Sequence, residues 1–89
     1  SALEGLAKSL AADYAPFGVT VNCIAPSMME TKFLAQTSDL IVQASAEANP
    51  MKRNARPSDV VPAMEFLLSE DAGFITGVTL PITGGSAAL

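Results

Sequence analysis

The 89-residue sequence contains no histidine and a single cysteine, Cys23. One thiol cannot form an internal disulfide, and without imidazoles or further thiols the chain has no zinc donor set, so a reducing, cytoplasmic setting is expected. Basic residues are also sparse: five Lys and Arg against nine acids leave a net charge of −4 with no basic run. That pattern lacks the electrostatic footprint for nucleic acid or an anionic membrane, and neither is an expected partner. No apolar run approaches the roughly 20 residues of a membrane-spanning helix, and no charged-then-apolar leader opens the sequence.

At 89 residues the chain is one domain at most, and so small a domain buries only a modest share of its surface. Its hydrophobic fraction is nevertheless 49%, with only 16% charged residues. Such a balance predicts segments covered on more than one side. The first residues step straight into a helical pattern without a start methionine, as expected of a chain whose natural beginning lies earlier.

Leu3, Leu6, Ala7, Leu10, Ala11 and Tyr14 recur at spacings of three and four, the period of an amphipathic helix. Pro16 and Gly18 stop it. Val19 to Ala25 is β-branched and almost continuously apolar, as in a strand of a parallel sheet covered on both faces, and Pro26 ends it. Residues 31–48 read as two short helices separated by Gln36-Thr37-Ser38-Asp39. Asn49 to Pro57 holds two prolines and three of the five cations, and is expected to be a surface connection. Pro57 or Ser58 opens the next helix, with Asp59 in the first turn where the helix dipole favours an acid, and Pro62 early enough to be tolerated. Gly73 and Gly77 bracket a turn. Val78 to Ile82 then reads as a strand whose Pro81 places it at a sheet edge, and Gly84-Gly85 closes it.

The order helix, strand, helices, helix, strand predicts an α/β fold: two parallel strands joined by a right-handed crossover, with flanking helices. Two parallel strands are not a self-sufficient sheet. One edge of strand 19–25 is therefore expected to be bare within this chain.

Asn22-Cys23-Ile24-Ala25-Pro26-Ser27, followed after three residues by Thr31, resembles the Asn-x-Ile-x-Pro-Gly…Thr motif of the short-chain dehydrogenase/reductase family. Pro50-x-x-Arg53-x-x-x-Pro57-x-Asp59 and Phe66-Leu67-x-Ser69…Thr76-Gly77…Gly84-Gly85 resemble that family's closing motifs in order and spacing, so the likeness covers nearly all the chain. Ser27 stands where the family has Gly, and Thr83 where an acid commonly precedes the last Gly-Gly. The resemblance implies the C-terminal portion of a Rossmann-like doubly wound parallel sheet, incomplete alone: 1–26 helix and strand, 27–57 substrate-lid segment, 58–89 helix and edge strand. Within the family it looks most like the 3-oxoacyl-(acyl-carrier-protein) reductase type or a similar small-alcohol dehydrogenase.

By resemblance, Pro26, Ser27, Met28, Met29 and Thr31 contact NAD or NADP. Backbone groups of Pro26 and Met29 would meet the nicotinamide carboxamide, and the Thr31 hydroxyl the carboxamide or a phosphate. The local alternative is a proline-terminated strand followed by Thr31 as a helix N-cap. The position also has a physical rationale, because ligands of open α/β sheets bind beyond the carboxyl ends of strands. Met29, Phe33 and Leu34 fall on the segment resembling the substrate lid, for a small carbonyl or alcohol substrate, and helix core is their other reading. Arg53 and Arg56 are solvated, meet an acidic partner or brace the lid, with solvation the favoured reading, and receive no catalytic role. Tyr14 and Cys23 read as packing residues. The family's Tyr-x-x-x-Lys would lie just before Ser1, and neither a Ser-Tyr-Lys set nor a glycine-rich cofactor loop is present, so this chain alone is predicted inactive.

The choice between NAD and NADP is carried by residues absent from this sequence. Expected partners are the missing N-terminal half of the domain and further copies in a homo-oligomer, a dimer or tetramer. Ala2, Gly5, Ser9 and Ala12 leave a second face of the first helix flat enough for close helix packing. A non-enzymatic oligomerisation module using the same helix and edge strand is the alternative function.

Overall fold

The structure, a computed structural model, describes residues 1–30 and 38–86. Its elements are α1 (Ala2–Tyr14), a 3-10 turn (Ala15–Phe17), β1 (Cys23–Pro26), α2 (Asp39–Ala48), α3 (Pro57–Leu68), a second 3-10 turn (Glu70–Ala72) and β2 (Thr79–Ile82). The two strands form a parallel sheet, the α/β arrangement expected from element order. The chain divides into two compact units, Ser1–Ile24 with Pro62–Leu80, and Ala25–Val61 with Pro81–Leu89.

In the first unit α1 begins where Ser1 Oγ accepts from Glu4 N, which satisfies one of the first-turn amides that lack a helical partner. It ends through the 3-10 turn at Gly18, whose φ of 75° suits a residue without Cβ. Of the expected apolar stripe only Ala7 and Ala11 are buried, while Leu3 and Leu6 are 67% and 56% exposed. Tyr14 is half exposed and packs only its ring edge toward Phe17, 6.3 Å between centroids. The helical periodicity is right, but no described element covers the outer half of the stripe. Ala2, Gly5, Ser9 and Ala12 are all exposed, and nothing lies within 4 Å of a Cβ placed on Gly5.

The strand expected over 19–25 forms over Cys23–Pro26 instead, starting later and including the proline. Ahead of Cys23 the extended chain is held by other partners. Val21 N donates to Thr76 Oγ1 at 3.0 Å, Asn22 Nδ2 to Ile75 O at 3.2 Å, and Val78 N to Asn22 Oδ1 at 3.2 Å. Side chains thus supplement a backbone bond from Gly77 N to Val21 O at 2.8 Å until Cys23 N reaches Val78 O. Gly77, at φ 75°, follows the same path, and its Cα lies so near α1 that an added Cβ would sit 3.4 Å from Ala11 Cβ.

The carbonyls of Val78 and Ile82 accept from Cys23 N and Ser27 N. Because successive residues of a strand alternate sides, the even positions of β2 face β1, and Pro81 falls among those facing away. Its missing N–H costs the ladder nothing, as expected of an edge proline. By the same alternation Ile24 and Pro26 of β1 face away from β2, and no described strand pairs with that side. Two apolar grooves of about 300 Å³ each flank the strand in this unit. One is lined by Leu3, Leu6 and Leu10 of α1, the other by Met64, Leu67 and Leu68 of α3. Cys23 is half-buried, its Sγ 3.9 Å from Leu3 O.

In the second unit α2 is capped by Ser38, whose Oγ accepts from Leu40 N. It is the second of the two helices expected in 31–48; the first lies outside the described residues. The connection 49–56, expected at the surface, is partly core: Asn49, Asn54 and Ala55 are about 93% buried or more. Burial is possible because the polar groups are satisfied. Asn49 Oδ1 accepts from Met51 N at 2.8 Å, an Asx turn, and Asn54 Nδ2 donates to Val42 O at 3.1 Å. Lys52 takes φ 60°, the left-handed region, to complete the turn.

Candidate functional site

β1 delivers the chain at Pro26 into residues Ser27 to Glu30, the segment picked out by sequence. Ser27 N donates to Ile82 O at 3.0 Å, so the segment leaves the sheet still tied to β2. Ser27 keeps a negative φ, so the glycine expected there by resemblance is not needed for backbone conformation. Further on, Ala55 N donates to Met28 O at 2.9 Å and Glu30 N to Ala55 O at 2.6 Å, a parallel bridge between Met29 and Ala55. In this pattern Ala55 bonds the residues on either side of Met29, and the N–H and C=O of Met29 itself point away from the bridge.

Pro26, Ser27, Met28 and Met29 are all half-buried. The segment therefore brings together four of the five expected cofactor residues. It presents the carbonyl of Pro26, on the side away from β2, and both backbone groups of Met29, on the side away from Ala55. Thr31, and the lid residues Phe33 and Leu34, lie outside the described residues.

The electrostatics around this segment come from two ion pairs, so of the readings open for Arg53 and Arg56 the acidic partner is the one found. Arg53 Nη1 and Nη2 contact Asp59 Oδ2 and Oδ1 at 2.6 and 3.0 Å, a two-pronged guanidinium-carboxylate pair. Asp59 Oδ2 also accepts from Arg56 N at 2.8 Å, the reach-back of a third-position acid to the residue before the helix. The Arg53 hydrogen bonds, followed by the Arg56 amide, hold the Asp59 carboxyl well below the usual carboxylate range. The same contact raises Arg53. Arg56 Nε meets Glu30 Oε2 at 3.4 Å between two exposed side chains. The signal for the contact between Asp59 and Arg56 N was present: an acid three residues after Arg56 and two after Pro57 is a capping arrangement.

Asn49 and Asn54 were not singled out by sequence. Asn49 Nδ2 donates to Thr83 O at 2.9 Å, and a Cβ on Gly84, which sits at φ 63°, would come within 2.6 Å of Asn49 Oδ1. The only available hint was Asn-Pro at 49–50, a turn dipeptide.

Chemically, Pro26 to Met29 offers backbone donors and acceptors and one hydroxyl, but no titratable side chain. It suits binding a neutral amide-like group, and contains no acid or base for proton transfer. Among the described residues no cluster of His, Cys, Asp or Glu could hold a metal ion, and no helix is long and apolar enough to cross a membrane.

The family described as enoyl-(acyl carrier protein) reductase matches residues 1–87. Nodulation protein G of Azospirillum brasilense is 46% identical over 81 residues, which is 91% of this chain and 33% of that protein. The 3-oxoacyl-(acyl-carrier-protein) reductase of Buchnera aphidicola is 39% identical over 85 residues, 96% of this chain and 35% of that one. A crystal structure of 3-oxoacyl-(acyl-carrier protein) reductase from Brucella melitensis superposes with a TM-score of 0.87 at 31% identity, covering 94% of this chain and 31% of that one. The chain thus spans about a third of the length of the relatives it matches.

Proposed function

The chain belongs to the short-chain dehydrogenase/reductase family of oxidoreductases, and from that premise we propose that it forms the part of an NAD(P)-dependent enzyme that receives the nicotinamide end of the cofactor. The enzyme interconverts a small carbonyl compound and its alcohol. The single observation that supports this reading is the orientation of Met29. Its N–H and C=O are turned out of the bridge that fixes its neighbours, next to a Pro26 carbonyl turned out of the sheet. A carboxamide needs a donor for its oxygen and an acceptor for its nitrogen, and these backbone groups are that set. The cofactor, when bound, supplies hydride exchange; this segment orients it and moves no proton. Ser27 and Met28 line the same turn, and Thr31 adds a hydroxyl. Met29, Phe33 and Leu34 form the lid over the substrate.

On this reading the proton donor and the glycine-rich phosphate loop belong to the remainder of the domain, and the 89 residues alone do not turn over substrate. The remainder pairs with the side of β1 that faces away from β2. Between Asp13 and Glu30 there is no charged residue to guard that edge, whereas β2 is blunted by Pro81. NAD and NADP both remain compatible. The setting is cytoplasmic and the assembly a homo-oligomer using the small-residue face of α1.

The test is fluorescence titration of NADH and NADPH against the protein in its longest natural form. Binding by that protein, abolished by Met29→Pro, which removes the N–H, and weakened by Thr31→Val, is the expected result. Self-association without binding of either nucleotide would favour the oligomerisation module instead.

A further inference from the structure

We propose that Asn49 is a positioning residue for the cofactor segment, closing a ring of hydrogen bonds that sets where the Met29 backbone sits; this rests on the reading of Pro26 to Met29 given above. Every link lies in the second unit. Starting from β2, Ile82 O accepts from Ser27 N at 3.0 Å, and the following residue, Thr83, gives its carbonyl to Asn49 Nδ2 at 2.9 Å. Asn49 in turn shapes the connection that follows it: its Oδ1 accepts from Met51 N and its carbonyl from Lys52 N, both at 2.8 Å. That connection ends at Ala55, which bonds Met28 O and Glu30 N on either side of Met29. The path Ser27, Ile82, Thr83, Asn49, Ala55, Met28 is therefore closed, with Met29 at the point where its own backbone groups face away from Ala55.

The ring is braced rather than loose. Asn54 Nδ2 ties the connection to Val42 O of α2, and Arg53 ties it to Asp59 of α3. Asn49 is 7% exposed, and each end of its amide has a protein partner. A residue needed only to end α2 would not require a side-chain donor reaching Thr83, 34 positions away in sequence. Gly84 answers the same need from the other side: only a residue without Cβ leaves room for Asn49 Oδ1. Asn49 touches no ligand. Its effect reaches the cofactor through Thr83 on one arm and Ala55 on the other.

Two variants separate positioning from mere folding. Asn49→Ala removes both contacts; Asn49→Asp keeps the acceptor for Met51 N and loses the donor to Thr83. In the longest natural form of the protein, both are expected to raise the KM for the nicotinamide cofactor about tenfold, the size of one lost buried hydrogen bond, with kcat held within about twofold. Hydrogen exchange of the Ala55 and Glu30 amides should accelerate by a similar factor. If Asn49→Ala does not fold, Asp59→Asn, which loosens the brace at Arg53, should shift the same KM by about threefold. Unchanged KM and unchanged exchange in a folded variant would overturn the proposal. Failure of the unmodified protein to bind NADH or NADPH would instead remove the functional reading and this one with it.

Discussion

Gly84→Ala is the substitution whose cost the structure specifies most closely. Gly84 has φ 63°, and a Cβ there would lie 2.6 Å from Asn49 Oδ1 and 3.2 Å from its Nδ2. Two costs follow. Holding an alanine in the left-handed region costs about 1–2 kcal/mol, partly offset by about 0.5–1 kcal/mol from the lower entropy of the unfolded chain. The overlap then forces the Asn49 amide to move, and moving it breaks the bond to Thr83 O, the bond from Met51 N, or both, at about 1–3 kcal/mol for a buried polar group left unpaired. The sum is about 1–4 kcal/mol. Gly85→Ala is the internal control. It too has a positive φ, 95°, but its added Cβ would meet only Pro50 carbons at 3.3 Å, with no hydrogen bond displaced. Urea unfolding of both variants, followed by circular dichroism, should place Gly84→Ala below Gly85→Ala by about 1–3 kcal/mol. The double variant Asn49→Ala/Gly84→Ala should cost less than the sum of its parts, because the first change removes the atoms that the second would strike. Equal losses for the two glycines, or strict additivity in the double variant, would refute the clamp.

Lys52→Gly relieves a left-handed lysine at φ 60° at the expense of an exposed bond from Nζ to Glu47 O, and should raise stability by up to about 1 kcal/mol, or a melting temperature by a few degrees; a lower melting temperature would contradict this. Asp59 titrates below its ordinary 3.8 in the folded state, so its contribution is complete well above that value and is lost as pH falls through it toward the folded value. Acid unfolding of Asp59→Asn should accordingly show a flatter decline below about pH 4 than the unmodified chain. Pro81→Ala should leave stability within about 0.5 kcal/mol, while Leu80→Pro, whose N–H faces β1 by alternation, should disrupt the strand pair; scanning calorimetry of both distinguishes this register from a slipped one.

Much of this molecule could be read along the chain. The 3.6-residue period of α1, its stop at Pro16 and Gly18, the first-turn acid of α3 and the edge proline of β2 all depend on forces acting within a few residues, and each is found where expected. The motif Asn22 to Pro26 located the segment on which the proposed site is built. What it could not reveal was why the motif begins with asparagine: Asn22 works through Ile75 and Val78, more than 50 positions away. The strand started late for a related reason, since Val21 N is held by the Thr76 hydroxyl while only the Val21 carbonyl meets a backbone N–H, that of Gly77. The connection 49–56 was misread at Asn49, Asn54 and Ala55 because prolines and cations signal exposure only on average. Arg53 found Asp59, and two asparagines found backbone carbonyls, which made burial affordable.

Local spacing by itself determined the order of elements and their type, because helix period, strand alternation and turn chemistry are properties of neighbouring residues; the candidacy of Pro26 to Met29 came from the resemblance of its motif. Only the tertiary structure decided that Ala55 bonds the residues on either side of Met29, and that Asn49 reaches the Thr83 carbonyl. Hydrogen bonds between distant stretches depend on where the fold brings two carbonyls, and no pattern in one stretch specifies the position of the other.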